Sequence, residues 1–512
     1  MNSASISTLQ MSIIDVNSEY FGVDRLLLME NAGRGLAELA WEVYNSSKRT
    51  NIVIFAGKGG NGGDGMVAAR HLSQKLPIIL YLVGSPKDIS KRSTLRNWNV
   101  LLNMTDTVRL EKINQIKDLD SLEINPSTLI VDALLGTGIK GEIHEPLMSL
   151  LNHINEAQKK GAVVISADTP TGIDPNTGQK ANVFLTPQWT GVFHKQKQGL
   201  NPKNAGKIRV LPIGIAAEAE KIIGPGDLLA LKKRSSWSKK GDNGRVLVIG
   251  GSETYSGAPA LAAMGAVQSG VDLVSILAPR KISTAIRSYS PEFIVYDYAS
   301  PHLTKEFLPE ELIKQNDVII LGPGLGTNSK TREAVSKVLA ATKQFEKTII
   351  IDADALKLLN LSEVSSETIL TPHAGEFARL TDISLPGNSR EFQKRCKLVR
   401  EVSLKFPNIW VIKGHWDIVT DNSGTLKINK TGTPKMTRGG TGDVLAGLIA
   451  GFVPQTKKSY HAACIGTYIN GRAGELAEKD FNLSNLLHQI PKAIQESLDF
   501  IQSDSIPRIA PQ

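Results

Sequence analysis

Cysteine is almost missing from this chain. Cys396 and Cys464 are the only two in 512 residues, far apart and in no ligand spacing. A disulfide framework and a zinc site are therefore not expected. Aromatic residues are also scarce, at 5%. The net charge of +9 thus lacks the interleaved basic and aromatic residues of a nucleic-acid surface. The basic balance suits small anionic ligands such as nucleotides, and no nucleic-acid partner is expected. No apolar run reaches membrane-spanning length, and the first residues lack the charged-then-apolar pattern of a signal peptide. We expect a cytoplasmic chain with no membrane partner. A short glycine period is missing too, so the 45 glycines point to turns and not to a fibre.

What is present is a long alternation of apolar strands and helices. Apolar residues make up 41%, ample for packed cores, and the length allows two to four domains. In the first half, strands are predicted at 51–57, 78–83, 128–135 and 162–167. Helices are predicted within 16–45, from Met66 to about Gln74, near 90–103 and over 145–159. A stretch at 215–243, with Gly224-Pro225-Gly226 and several lysines, reads as a linker. A second alternating set begins at the run 245–252 and continues with strands near 272–277, 317–321, 348–352 and 409–413, with a helical tail from about 459 to 502. Continuous apolar strands alternating with helices predict an α/β fold with parallel sheets covered on both faces. Ligands then bind at the carboxyl ends of the strands.

The glycine-rich motifs fall at those ends. In the second half, Gly439-Gly440-Thr441-Gly442-Asp443 runs straight into the apolar stretch Val444–Val453. A glycine cradle at a helix N-terminus gathers N–H groups around an anion, and Asp443 in the first turn is poised to accept a proton. That pairing suits phosphoryl transfer from a nucleotide to an alcohol. Taken alone, the motif is equally a tight turn into a capped helix. In the first half, Gly59-Gly60-Asn61-Gly62-Gly63-Asp64-Gly65 is neither a Walker A loop nor a GxGxxG fingerprint. Asn61, Asp132 and Thr171 are hard oxygen donors at strand ends, suited to an alkali or alkaline-earth cation. As turn residues bonding their own backbones they need no ion at all.

The first-half motifs, with Leu28-Met29-Glu30-Asn31-Ala32-Gly33 upstream and Phe193-His194-Lys195-Gln196-Lys197-Gln198-Gly199-Leu200 downstream, resemble the NAD(P)H-hydrate epimerase family over about residues 10–215. The resemblance implies catalysis by Asp168 and potassium held by Asn61, Asp132 and Thr171. It implies substrate contacts from Gly60, Asn61, Gly62, Gly63, Asp64 and Asp168, and from the loop Gly136, Thr137, Gly138, Ile139, Lys140, Gly141 and Glu142. Gly60 stands where the family has Asn, and Thr171 where it has Ser.

The second half carries Gly322-Pro323-Gly324-Leu325-Gly326, Asp352-Ala353-Asp354-Ala355-Leu356 and Leu370-Thr371-Pro372-His373-Ala374-Gly375-Glu376. Over roughly 225–505 it resembles the ribokinase-like NAD(P)H-hydrate dehydratases. The resemblance implies Asp443 as catalytic base and Asp272, Gly326, His373 and Asp443 as substrate contacts. It implies a nucleotide site from Lys413, Gly414, His415, Trp416, Asp417, Thr433, Met436, Arg438, Gly439, Gly440, Thr441 and Gly442, with Asp417 and Arg438 departing from the family's small residues. The expected architecture is two doubly wound domains: an N-terminal Rossmann-like three-layer sandwich over 1–220 and a C-terminal ribokinase-like one over 225–512. The expected activity is repair of hydrated NADH and NADPH (NADHX and NADPHX) by epimerisation and ADP-dependent dehydration. ADP is the co-substrate, potassium the ion, magnesium a further candidate, and a homo-oligomer is expected. The alternative is a ribokinase-like kinase of a vitamin precursor fused to a non-catalytic Rossmann-like binding module.

Overall fold

The structure is a computed structural model that describes residues 5–136, 141–456 and 458–505. The chain divides into two compact units, Met1–Ala219 with Ile501–Gln512, and Glu220–Phe500.

The first unit is built on seven parallel strands: β1 Asn51–Ala56, β2 Ile78–Val83, β3 Val108–Ile113, β4 Thr128–Ala133, β5 Val163–Ala167, β6 Trp189–Phe193 and β7 Lys207–Leu211. Their order is β3-β2-β1-β4-β5-β6-β7. The central strands are apolar and almost wholly buried, as both-face coverage demands. Helices Thr8–Phe21, Arg25–Ser46, Gly60–Leu72, Arg92–Leu101 and Leu147–Lys159 accompany them. The chain order reverses between β1 and β4, so a crevice opens where the loops after those two strands diverge.

The first departure from the sequence reading lies here. The helix after β1 starts at Gly60, not at Met66, so the glycine motif forms its first turns. Glycine is a poor helix former, and tertiary packing overrides that preference. A methyl group at Gly62 would stand 1.8 Å from the Gly57 carbonyl oxygen, so only glycine lets this helix lie against the strand end.

The helix Arg92–Leu101 is capped from far away in sequence. The side chain of its N-cap residue Lys91 makes no capping bond. Instead the Asp504 carboxylate accepts from the Ser93 N–H at 3.0 Å and from the Ser93 hydroxyl at 3.0 Å. The Asp504 carbonyl accepts from Arg92 N–H at 2.8 Å.

The second unit has nine strands: β8 Arg245–Ile249, β9 Leu273–Pro279, β10 Phe293–Tyr298, β11 Val318–Leu321, β12 Thr348–Ile351, β13 Ile369–Leu370, β14 Ile409–Ile412, β15 Asp417–Thr420 and β16 Leu426–Asn429. Their order is β10-β9-β8-β11-β12-β13-β14-β15-β16. The strands are parallel as far as β14, and β15 and β16 are antiparallel additions. The crevice lies between β8 and β11. The stretch read as a linker is part of this unit from Glu220 onward. Ile223 N–H donates to the Ile428 carbonyl at 2.9 Å, and the buried Asp227 accepts from Lys427 Nζ at 2.6 Å. Gly224, Pro225 and Gly226 misled because they are turn formers by composition, although all three are buried. Among the described residues no helix is long and apolar enough to cross a membrane.

Helix Thr441–Phe452 lies against helix Gly257–Gln268 at backbone contact distance. A methyl at Gly447 would stand 2.0 Å from the Ala262 carbonyl oxygen, and one at Gly265 2.4 Å from the Val444 carbonyl oxygen. Gly447→Ala should therefore force the helices apart and destabilise the second unit by about 1–3 kcal/mol, the usual cost of overpacking a core. Urea unfolding measures it, with Gly257→Ala as control. A methyl there meets nothing within 4 Å and should change stability by less than about 0.5 kcal/mol.

Candidate functional site

In the first unit the carboxyl ends of β1, β4 and β5 bring four of the expected residues together. Asp132, fully buried on β4, accepts four bonds. Thr171 Oγ1 donates at 2.6 Å, Thr171 N–H at 2.9 Å, Ser166 Oγ at 2.7 Å and Leu134 N–H at 3.3 Å. Burial raises the Asp132 pKa, and those donors oppose the rise. Thr171 Oγ1 also accepts from Leu135 N–H at 3.2 Å. The next residue, Gly136, lies against Asn61: a methyl there would stand 3.3 Å from the Asn61 Cβ. Both polar atoms of the Asn61 amide are buried and bond to nothing described. An amide left this way is costly, at about 1–3 kcal/mol per unpaired group. Asn61, Asp132 and Thr171 are oxygen donors of the kind a hard cation takes, so the residues present fit a potassium ion.

Asp168 follows β5 with a φ of +59°, in the left-handed region that non-glycine residues rarely adopt. Its carboxylate accepts from Phe193 N–H at 2.9 Å and from the buried Lys197 ammonium, both on Oδ1. Two further carboxyls share this pocket. Desolvation pushes Asp15 up to about 7 against the pull of Lys197. Desolvation, then Asp168 and Asp15, pushes Asp64 well above the carboxylate range. A methyl at Gly60 meets nothing within 4 Å, so the room an Asn side chain would fill is open. Gly62 and Gly63 are buried packing positions in the same helix turn, while Gly141 and Glu142 are exposed. Thr137, Gly138, Ile139 and Lys140 lie outside the described residues.

In the second unit β12, β13 and β14 end in a buried polar knot. Asp352, almost fully buried, accepts on Oδ1 from Lys413 Nζ at 2.7 Å and from Thr371 Oγ1 at 2.7 Å. A methyl at Gly442 would stand 3.4 Å from Lys413 Nζ, so the lysine reaches the glycine cradle. Gly440, at a φ of +100°, turns the chain into helix Thr441–Phe452, with Asp443 in its first turn. Desolvation first, then the Asp352 charge, raises Asp443 to about 7, with Lys413 opposing. Burial works against the Lys413 charge, but Asp352 outweighs it and the Lys413 pKa is raised.

His373 caps helix Ala374–Thr381. Its Nδ1 accepts from Gly375 N–H at 3.0 Å and Glu376 N–H at 3.3 Å, so in this arrangement the other ring nitrogen carries the proton. Its side chain is 60% exposed and can meet a ligand from above. Gly326 N–H donates to Asp354 Oδ2 at 2.9 Å, which pins the glycine turn after β11.

The expected nucleotide residues other than the cradle itself fall in two groups. Lys413 to Asp417 form the turn between β14 and β15. Asp417, the first residue of β15, accepts from Gly414 N–H in that turn at 3.0 Å and from Asn429 Nδ2 on β16 at 3.1 Å, and desolvation lifts it to about 6. Trp416 stacks on His415 and lies under the Lys430 ammonium, 4.8 Å from the ring centroid. Thr433 donates to Glu478 at 2.5 Å, and Met436 fills the space beside Gly474. The Thr441 hydroxyl lies 3.0 Å from both the Met436 and the Arg438 carbonyls, a shared donor that ties the 433–438 stretch to the helix start.

One expected contact is overturned. Asp272 precedes β9 and so lies at the amino ends of the strands, whereas Gly326, His373 and Asp443 stand at the carboxyl ends. Its carboxylate is saturated by Arg234, Gly241 N–H and Asn243. It clamps the turn into β8 and leaves the substrate set. Two residues were missed: Lys197, which meets Asp168, and Asp352, which meets Lys413. Both stood in the motifs, yet a sequence does not show that a buried lysine and a strand-end aspartate will pair.

Comparison with known proteins gives two family matches. Residues 246–496 match the model described as NAD(P)H-hydrate dehydratase, and 25–199 that of the YjeF-related protein N-terminus. A protein of Methanothermobacter thermautotrophicus named bifunctional NAD(P)H-hydrate repair enzyme is 39% identical, covering 94% of this chain and 94% of its own length. One of the same name from Pyrobaculum aerophilum is 38% identical, covering 96% and 98%. Among solved structures, the ADP/ATP-dependent NAD(P)H-hydrate dehydratase of Bacillus subtilis, co-crystallised with ATP and Mg2+, is 25% identical. The match covers 55% of this chain and 98% of that one, with a TM-score of 0.46.

The second site makes a direct electrostatic prediction. Asp352→Asn removes a negative neighbour and should lower the Asp443 pKa from about 7, whereas Lys413→Met removes the opposing cation and should raise it. Carboxyl carbon NMR of Asp443 across pH 4–9 (roughly the range bracketing such a shift) reads both. Shifts of like sign in the two variants would contradict the arrangement.

Proposed function

The chain belongs to the family of bifunctional NAD(P)H-hydrate repair enzymes, and on that premise we propose how its two sites divide the chemistry. The first unit epimerises the R and S forms of hydrated NADH and NADPH. The second dehydrates the S form at the expense of a nucleotide, which we take to be ADP. The observation that carries the reading is Asp443. It is a carboxyl poised near pH 7, in the first turn of a glycine-led helix, beside a lysine that reaches the same cradle.

The chemistry follows from that pairing. Asp443 accepts the proton of the added hydroxyl, whose oxygen attacks the terminal phosphorus of ADP as AMP leaves. The C–O bond of the new phosphate ester then breaks with its electron pair leaving on phosphate, the neighbouring ring carbon gives its proton to the departing phosphate or water, and the reduced nicotinamide double bond returns. Lys413 and the N–H groups of Gly439 to Gly442 hold the phosphates. The turn 413–417 and the stretch 433–438 enclose the rest of the nucleotide, and His373 and Gly326 meet the hydrated ring. Magnesium would arrive with the nucleotide, bound to its phosphates.

In the first unit Asp168 holds and returns the hydroxyl proton at the epimerising carbon. The glycine turns at 60–64 and the loop 136–142 bind the rest of the substrate. Asn61, Asp132 and Thr171 would hold potassium, whose charge offsets a substrate phosphate when bound. A cytoplasmic, homo-oligomeric enzyme completes the proposal; its two cysteines, one buried and one half-buried, are unpaired. The alternative of a vitamin-precursor kinase fused to a non-catalytic module is not favoured, since relatives named for the bifunctional repair activity match nearly the whole chain.

Asp443→Asn should cost about 10²–10⁴ in dehydration rate, followed by NADH absorbance, while epimerisation persists. Activity near wild type would take Asp443 out of the mechanism. Because the base must be ionised, kcat/KM for dehydration should fall as pH drops through about 7. Replacing potassium with a bulky organic cation should slow epimerisation, and Asp132→Ala should abolish that response. An equal response in the variant would remove the ion from the proposed site.

A further inference from the structure

The pocket of the first unit holds a cation that the expected substrate and ion contacts leave out. Lys197 has no solvent exposure, although a lysine buried inside a protein is among the costliest residues to fold around. Its ammonium has two acceptors, Asp168 Oδ1 and the Phe193 carbonyl, the latter at 3.2 Å. The backbone around it is fixed independently. Ile6 N–H donates to Gln196 O at 2.9 Å, Gln198 N–H to Ile6 O at 3.1 Å and Leu200 N–H to Lys197 O at 3.1 Å. The lysine stem thus starts from a held point and ends on one oxygen of one carboxylate.

Asp168 is held from the other side as well. Its N–H donates to the Gly191 carbonyl at 2.8 Å, and Phe193 N–H donates to the same Oδ1 that Lys197 meets. Both described bonds to the carboxylate end on Oδ1, and none of those described ends on Oδ2. The charged groups facing the pair are Asp15 from helix Thr8–Phe21 and Asp64 from helix Gly60–Leu72, with Arg25 facing Asp15. Lys197 is therefore the cation directed at three carboxyls, and it bonds to the one in the strained left-handed backbone position.

We propose that Lys197 is the positioning residue of the epimerase: by gripping Asp168 Oδ1 with Phe193 N–H, it aims Oδ2 at the hydroxyl-bearing carbon of the substrate. This rests on the reading of Asp168 as the epimerase acid–base. A purely packing role is a weaker account, since a methionine would fill the same channel without burying a charge.

The test uses the full-length chain, in which dehydration of purified S epimer reports on the second unit independently. Lys197→Met should lower the kcat of epimerisation on the order of 10²-fold, the size of effect that misplacing a reacting group by about 1 Å produces. Its KM should change less than about threefold, because the residue does not touch substrate. Lys197→Arg, which returns a cation, should recover at least about tenfold of the loss. Epimerisation at wild-type kcat in Lys197→Met, or a loss carried wholly by KM, overturns the proposal. If near-ultraviolet circular dichroism shows the first unit of Lys197→Met unfolded, Lys197→Gln takes its place with the same expectations. Failure of both to fold makes the pair structural and overturns the proposal equally. Asp168→Asn is run alongside. Full activity there sinks the epimerase assignment of Asp168 itself, whereas loss there with retention in Lys197→Met sinks only the role of the lysine.

Discussion

Backbone-to-backbone contact through glycine is the constraint on which both units rest. In each, the helix that carries the chemistry must lie closer to its neighbours than any side chain permits. Gly62 presses on the Gly57 carbonyl, and Gly447 presses on the Ala262 carbonyl. That closeness sets the helix N-terminus at the mouth of the crevice, where unpaired N–H groups favour anions. The glycines weaken each helix intrinsically, so the helices depend on the tertiary contact that the same glycines make possible. Site geometry and core packing are here one property.

On that frame each unit sets a single lysine against a strand-end aspartate. Asp168 meets Lys197 after β5, and Asp352 meets Lys413 after β12. In both cases the neighbouring carboxyls are pushed toward neutrality: Asp15 and Asp64 in one unit, Asp443 in the other. The two knots differ in what the lysine also reaches. Lys197 turns back to a backbone carbonyl and stays sealed, whereas Lys413 extends to the open glycine cradle. One lysine orients a carboxylate; the other can also meet phosphate.

How much of this was legible in the sequence depends on which force decided each element. β1, β4, β5, β8, β9, β11, β12 and β14 are apolar runs buried on both faces, and they were readable as such. β3 and β7 were not, because these edge strands intersperse charged and apolar residues, as in Val108-Arg109-Leu110-Glu111-Lys112-Ile113, and β10, a third edge strand, was passed over although Phe293–Tyr298 is largely apolar. β13 is only two residues long, and the antiparallel hairpin of β15 and β16 breaks the pattern of the parallel sheet. The glycine motif after β1 was read as a loop because propensity opposed a helix that packing imposes. Asp443 and the Asn61, Asp132 and Thr171 set could be named as candidates because residue type and a neighbouring glycine turn or strand end suggest a chemistry, and the structure places Asp132, Thr171, Gly136 and Asn61 near one another. Asp272 was misread and Lys197 and Asp352 were passed over, because which end of a strand a residue occupies, and what it meets across the fold, are not local properties.

The cap that Asp504 places on helix Arg92–Leu101 has a consequence for how the protein is made. N-terminal units usually finish folding while later residues are still being synthesised. Here the first unit is discontinuous: the second is wholly inserted before Ile501, and the acceptor for Ser93 emerges only after it. Until then the helix beside the epimerase crevice carries uncapped N–H groups at its start, a deficit of about 1 kcal/mol. The first half to leave the ribosome is therefore the last to receive its full set of contacts.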